Sequence, residues 1–137
     1  MRRSRPQAAR PGRGRLKPMR VSESFRDYAL DQLSAVRDLR PRAMFGGVGL
    51  YAGDVFFGIL AADVLYLKTD DTNRSDFEAA GAQPFKPYAG RPMTMAYFSV
   101  PVTVLEDAAT LVAWARRSIA VASRAAARPA PKRRKPA

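Results

Sequence analysis

Two features of this chain have the residue types and spacing to do chemistry: a glycine cluster and two adjacent pairs of acids. RAMFGGVGLY, residues 42–51, sets Gly46, Gly47 and Gly49 between Arg42 and a run of strand formers. Gly47-Val48-Gly49-Leu50-Tyr51-Ala52 fits the pattern G-x-G-x-x-[GA]. That pattern holds a dinucleotide when its glycines let a pyrophosphate reach the backbone at the N-terminus of a helix that follows a strand. No helix follows here. Gly53-Asp54 and the strand-like Val55-Phe56-Phe57 come next, so the positive end of a helix dipole is missing where a phosphate would lie. Glycine takes a positive φ without steric cost, and the cluster is expected to shape a hairpin or bulge between two strands.

The acid pairs are Asp70-Asp71 and Glu106-Asp107. Paired carboxylates can hold Mg²⁺ or split their pKa values. Each pair, however, precedes a predicted helix, where a carboxylate is stabilised by free backbone N–H groups and the macrodipole. The chain has no histidine and no cysteine. A base working near neutral pH would have to be a shifted carboxylate or lysine, and thiolate chemistry, disulfides and histidine-containing metal sites are excluded. Lys68 or Lys86 could in principle activate a serine, but no spacing points to such a pair. The expectation is a protein that is not an enzyme, with no catalytic, cofactor-binding or metal-binding residue.

A formal charge of +12 on 137 residues directs attention to polyanions. The charge is concentrated at the ends. Arg2, Arg3, Arg5, Arg10, Arg13, Arg15, Lys17 and Arg20 stand in an acid-free N-terminal stretch, and Arg124, Arg128, Lys132, Arg133, Arg134 and Lys135 in an acid-free C-terminal one. All 12 acids fall between Glu23 and Asp107, which leaves residues 21–123 close to neutral. Both ends are also rich in proline, and like charges repel, so neither is expected to pack. The organisation read from this is a disordered basic arm over 1–20, a folded domain over 21–123 and a disordered basic tail over 124–137. Such arms bind polyanions by counterion release, log K falling by about 0.9 per phosphate neutralised for each tenfold rise in salt.

No apolar run approaches the roughly 20 residues of a membrane helix. The basic N-terminus has no apolar segment behind it, and its prolines prevent the amphipathic helix of a transit peptide. A cytoplasmic protein without membrane contact is expected.

The elements that would position these residues follow from periodicity. Phe25, Tyr28 or Ala29, Leu33 and Val36 recur at helical spacing, which predicts a helix from about Glu23 to Arg37, started by Ser22 or Ser24 and stopped by Pro41. From Ala43 to Asp70 the runs RAMF, GLYA, DVFFGIL and DVLYLKT read as consecutive antiparallel strands, with turns at Gly53-Asp54 and Ala61-Ala62-Asp63. Alternation in the last of these puts Leu65 and Leu67 toward the core and Tyr66 and Lys68 on the other side. TNRSDFEAAG, residues 72–81, reads as a short helix capped by Ser75 and closed by Gly81. MTMAYFSV predicts a strand from Met93 to Val100. A long amphipathic helix follows, with Thr103 or Asp107 as N-cap and Leu111, Ala115, Ile119 and Ala122 on one face. The order implies an α+β domain: an antiparallel sheet of about five strands with an N-terminal and a C-terminal helix packed on it.

Arg42-Ala43-Met44-Phe45-Gly46-Gly47-Val48-Gly49-Leu50-Tyr51, then Phe57-Gly58, Asp63 to Lys68, Met95-Ala96-Tyr97 and Leu111 to Ala115 together resemble the N-terminal domain of the TfoX/Sxy family. The resemblance covers about Val21 to Ser123, without the separate C-terminal domain of larger members. It implies the fold, and a regulatory role of the competence type in which a transcription co-regulator docks on a protein partner such as a cAMP-receptor-type activator. On that footing the expected partner-binding residues are Arg42, Phe45, Gly46, Gly47, Tyr66 and Lys68. The arms would add non-specific DNA affinity through the cations named above.

Two alternatives remain from the residues themselves. Phe45, Tyr51, Phe56, Phe57, Tyr66, Tyr88, Tyr97 and Phe98 could stack on bases if they lined an open sheet face, making the sheet or the loop 82–92 a direct nucleic-acid reader. A small hydrolase or metal-dependent enzyme would need two acids from separate segments to meet in a pocket.

Overall fold

The computed structural model describes residues 20–44, 46–85 and 96–127. Helix α1 spans Glu23–Gln32, and its N-cap is Ser22, whose hydroxyl accepts from the Phe25 N–H at 3.1 Å. The helix ends earlier than its apolar spacing predicts. Leu33 and Val36 are buried all the same, held by i→i+3 turns in which Ser34 N–H donates to Asp31 O and Val36 N–H to Leu33 O. Asp38, at φ 57, then reverses the chain into the sheet.

Strand β1 is Leu39–Met44 and starts before the expected Ala43, taking Pro41 into the strand. The pairing explains how a proline is tolerated. Gly53 N–H donates to Asp38 O, so alternate residues from Asp38 face β2, spanning Gly47–Ala52, and Pro41 turns its missing N–H toward the free edge of the sheet. An edge position is where proline costs least.

Strand β3 is Val55–Ala61 and β4 is Val64–Lys68. The β2–β3 turn uses Gly53 at φ 61; the β3–β4 turn uses Ala62 and Asp63 at φ 51 and 58. A register shift between Leu50 and Tyr51 changes which alternate residues of β3 face the core. As a result Phe57 and Leu60 point to one side while Phe56 and Ile59 point to the other.

Helix α2, Arg74–Ala79, begins after Asn73. Ser75 is therefore inside the helix and not its cap. Strand β5 is Tyr97–Ser99; the remainder of the expected strand, 93–95, lies outside the described residues. The C-terminal helix is divided by Glu106-Asp107 into α3, Val102–Leu105, and α4, Ala108–Ala127. Thr103 sits inside α3. Asp107 Oδ1 accepts from Thr110 N–H at 3.4 Å, so of the two expected caps only Asp107 serves α4. Helix α4 continues through 124–127, residues assigned above to the tail, and Arg124 there pairs with Asp70 at 3.1 Å.

The sheet is five-stranded and antiparallel in the order β1-β2-β3-β4-β5. The core between sheet and helices is built from Leu50, Phe57, Leu60, Leu65 and Leu67 against Ala29, Leu33, Leu111 and Ala115. The leucines of β4 thus face inward as their alternation requires. Residues 83–85 run along the far edge of β5, where Phe85 N–H donates to Tyr97 O and Ser99 N–H to Gln83 O.

Candidate interaction surface

The glycine cluster forms a hairpin. Gly46 takes φ 87 in the β1–β2 turn, and Gly47 and Gly49 lie within β2. Phe45, between them and Met44, lies outside the described residues. A strand and not a helix follows β2, so the dinucleotide pattern has no phosphate seat. Gly49 serves packing: a Cβ there would stand 3.1 Å from Met44 Sδ and 3.2 Å from Phe56 Cε1.

Cross-strand pairing aligns a row of side chains over the face opposite the helices. Arg42 pairs with Gly49, Gly49 with Ile59, Ile59 with Tyr66, and Tyr66 with Ser99. Beside this row Tyr51 pairs with Phe56, and Lys68 with Tyr97. The structure therefore brings three of the expected partner-binding residues, Arg42, Tyr66 and Lys68, onto one face. Gly46 and Gly47 sit at that sheet's β1–β2 corner.

The rings of this face pack on one another. Tyr51 lies 5.0 Å from Phe56, Phe56 5.7 Å from Tyr97, and Tyr66 4.8 Å from Phe85, all tilted. Ile59, Phe85 and Tyr97 are buried and form the floor. Burial, and secondarily the Tyr51 hydroxyl, push the Tyr97 phenol up to about 12. Burial also raises the half-buried Tyr66 phenol. The Arg42 guanidinium stands over the Tyr51 ring and the Lys68 ammonium over the Tyr97 ring, each 5.1 Å from the centroid. A cation over a ring face is held by the ring quadrupole. Arg40 is neutralised by Asp38 at 3.1 Å. Among the described residues neither Arg42 nor Lys68 has a carboxylate within ion-pair distance. Alternation places Tyr66 and Lys68 on this side, while Arg42 enters with the glycine stretch and the family resemblance; the floor contributed by Phe85 carries no sequence signal, because its segment has no repeat.

The acid pairs do other work. Asp70 Oδ1 accepts from the Thr72 hydroxyl at 2.6 Å and from Thr72 N–H at 2.8 Å. The Thr72 hydroxyl and N–H, with a smaller contribution from Arg124, hold the Asp70 carboxyl below its usual range. Asp71 pairs with Arg74 at 3.0 Å. Glu106 and Asp107 are exposed between α3 and α4. Among the described residues no three acids gather as metal ligands, and no helix is long and apolar enough to cross a membrane. Arg20 is exposed, and Arg124 is paired with Asp70. The other arm cations expected to bind polyanions lie outside the described residues, as does most of the loop 82–92.

A single antiparallel meander with helices on one face, and a floor of interlocked rings under two cations on the other, defines an α+β domain that offers a surface. The model of the TfoX N-terminal domain matches residues 31–122. The chain belongs to that family. A comparison with curated proteins found no match.

Proposed function

We propose that this chain is a non-catalytic regulatory module, a transcription co-regulator of the competence type acting in the cytoplasm, that docks on a protein partner through the outer face of its sheet. The observation that carries this reading is the placement of Arg42, Tyr66 and Lys68 on one sheet face, opposite the helices that complete the core. The partner we propose is a cAMP-receptor-type activator, as the resemblance to the TfoX/Sxy family implies. The N- and C-terminal cations add non-specific DNA affinity, without sequence preference, by counterion release. The acid pairs support a non-catalytic role, since Asp70 bonds Thr72 and Arg124 while Asp107 caps α4.

A photo-crosslinking residue at Tyr66 in the full chain, expressed in its own host, tests the docking. A discrete protein adduct from position 66, and none from Ala109 on the exposed side of α4, is expected. No adduct from position 66 refutes the proposal. DNA affinity is tested separately by fluorescence anisotropy of labelled duplex across a salt series, comparing the full chain with residues 20–127. Affinity that disappears on trimming and depends steeply on salt is expected; a shallow slope retained by the trimmed chain would favour direct nucleic-acid recognition by the folded surface.

A further inference from the structure

We infer that the segment seated on the outer sheet face is acidic, with carboxylates bound by Arg42 and Lys68 and an apolar stretch between them laid over Phe56, Ile59 and Tyr66. This inference rests on the docking reading and specifies the chemistry of its partner.

Charge complementarity is the first support. Among the described residues the strands of this face carry no acid, and Arg40 at its margin is already paired with Asp38. Arg42 is exposed and Lys68 half-buried, and each is steadied over a ring. A cation held in one position loses less side-chain entropy on forming a charged hydrogen bond. Tyr66, protonated at neutral pH, can donate its hydroxyl to the same ligand.

Geometry sets the spacing. The Arg42 guanidinium and Lys68 ammonium stand over Tyr51 and Tyr97, rings bridged by Phe56 at 5.0 and 5.7 Å and so no more than about 11 Å apart; carboxylates bound on the outer sides of the two cations lie roughly 11–15 Å apart. An extended chain spans that distance in about four residues. Between the cations Ile59 is buried under Phe56 and Tyr66, and the Met44 side chain and Phe56 close over Gly49, so the surface there is apolar.

The same features disfavour a nucleic-acid ligand. Base stacking needs an open ring plane, whereas the Tyr51 and Tyr97 planes carry cations and the neighbouring rings meet at interplanar angles of 31°, 42° and 56°. Tyr97 and Phe85 are also buried.

The probe is a fluorescein-labelled synthetic peptide with two glutamates bracketing about three apolar residues, and its glutamine counterpart as control. Binding to the ¹⁵N-labelled full chain is followed by anisotropy and by amide shifts, which separate the sheet face from the basic arms. Shifts centred on Gly49, Ile59 and Tyr66 are expected. Arg42→Gln and Lys68→Gln should each weaken binding about tenfold, while Arg42→Lys should recover part of the loss. Circular dichroism establishes that the variants are folded. Shifts confined to the arms, equal binding of the glutamine peptide, or affinity unchanged in the double variant overturns the inference. Displacement of the peptide by oligo(dT) at the same amides, with oligo(dT) binding lost in the double variant, overturns it in favour of single-stranded nucleic acid. If the peptide fails while the position-66 crosslink persists, the acidic chemistry is wrong and the docking stands. If both fail, docking falls with it.

Discussion

Ser118, fully buried in α4, donates its hydroxyl to the main-chain carbonyl of Lys68 at 2.7 Å, and the Asn73 side-chain amide donates to the same carbonyl at 3.2 Å. The last residue of β4 is thereby anchored from the helix side while its ammonium lies over Tyr97 on the outer face. Ser118→Ala removes one of two donors and should cost about 1 kcal/mol. Asn73 also accepts from Asp70 N–H at 2.8 Å, so Asn73→Ala should cost more, about 2 kcal/mol. Urea denaturation measures both, and an equal loss would contradict this division of roles.

Gly58 and Gly49 both lie within the sheet but should respond unequally to alanine. At Gly58 an added Cβ would meet the Tyr66 carbonyl oxygen at 3.0 Å, a backbone atom fixed by the β3–β4 pairing. Gly58→Ala should destabilise by about 1–3 kcal/mol. At Gly49 the nearest atoms are the Met44 side chain at 3.1 and 3.2 Å, which can rotate away, and Phe56 Cε1 at 3.2 Å, which need give by only a few tenths of an ångström, so Gly49→Ala should cost less, about 1 kcal/mol. Thermal unfolding of the two variants gives the comparison.

The β3–β4 turn holds Ala62 and Asp63 in the left-handed region. A two-residue hairpin with both φ values positive favours asparagine or glycine at its first position. Asp63 has a separate task, since its Oδ1 accepts from Ser22 N–H at 2.7 Å and ties the start of α1 to the turn. Ala62→Asn should therefore stabilise by about 0.5–1 kcal/mol, whereas Asp63→Gly should gain less or lose. A decrease in denaturation midpoint for Ala62→Asn would refute the strain.

Tyr97 and Asp70 make stability depend on pH at opposite extremes, and the raised Tyr66 phenol acts in the same direction as Tyr97. Tyr97 ionises near 12 when folded, against an ordinary 10.0. The unfolded chain releases that proton first, so stability is full below about pH 10 and declines as pH rises toward 12. Tyr97→Phe should flatten the decline. Asp70 is shifted the other way from its ordinary 3.8. Its contribution is present above that value and is lost as pH falls through the lowered folded pKa. Asp70→Asn should reduce the acid-side slope, read from unfolding midpoints between pH 2 and 12.

Much of this sheet is legible because its strands are short, β-branched or aromatic, and divided by turn residues. Alternation alone orients Leu65, Tyr66, Leu67 and Lys68 correctly. The bulge at Leu50/Tyr51 is not visible in the same way, since DVFFGIL is apolar at nearly every position and supports either phase. The end of α1 is hidden for a related reason: Leu33 and Val36 keep helical spacing in a turn as well as in a helix. Ser118 and Asn73 look like ordinary surface polar residues; contact with the Lys68 carbonyl, distant in sequence for Ser118, and for Asn73 also with Asp70 N–H, satisfies them in their burial. Alternation in β4 places Tyr66 and Lys68 on the outer face, but the burial of Tyr97 beside Phe85 depends on a pairing that local periodicity does not encode.

Strand order in the sheet is also order along the chain. From β1 to β4 each new strand can zip onto its predecessor across a tight turn, with little loop-closure entropy lost at each addition. The costly closures come afterwards, when β5 returns past α2 to pair with β4 and α4 meets α1. Assembly of this domain should begin as a growing hairpin stack in its middle, with the two ends of the chain joining last.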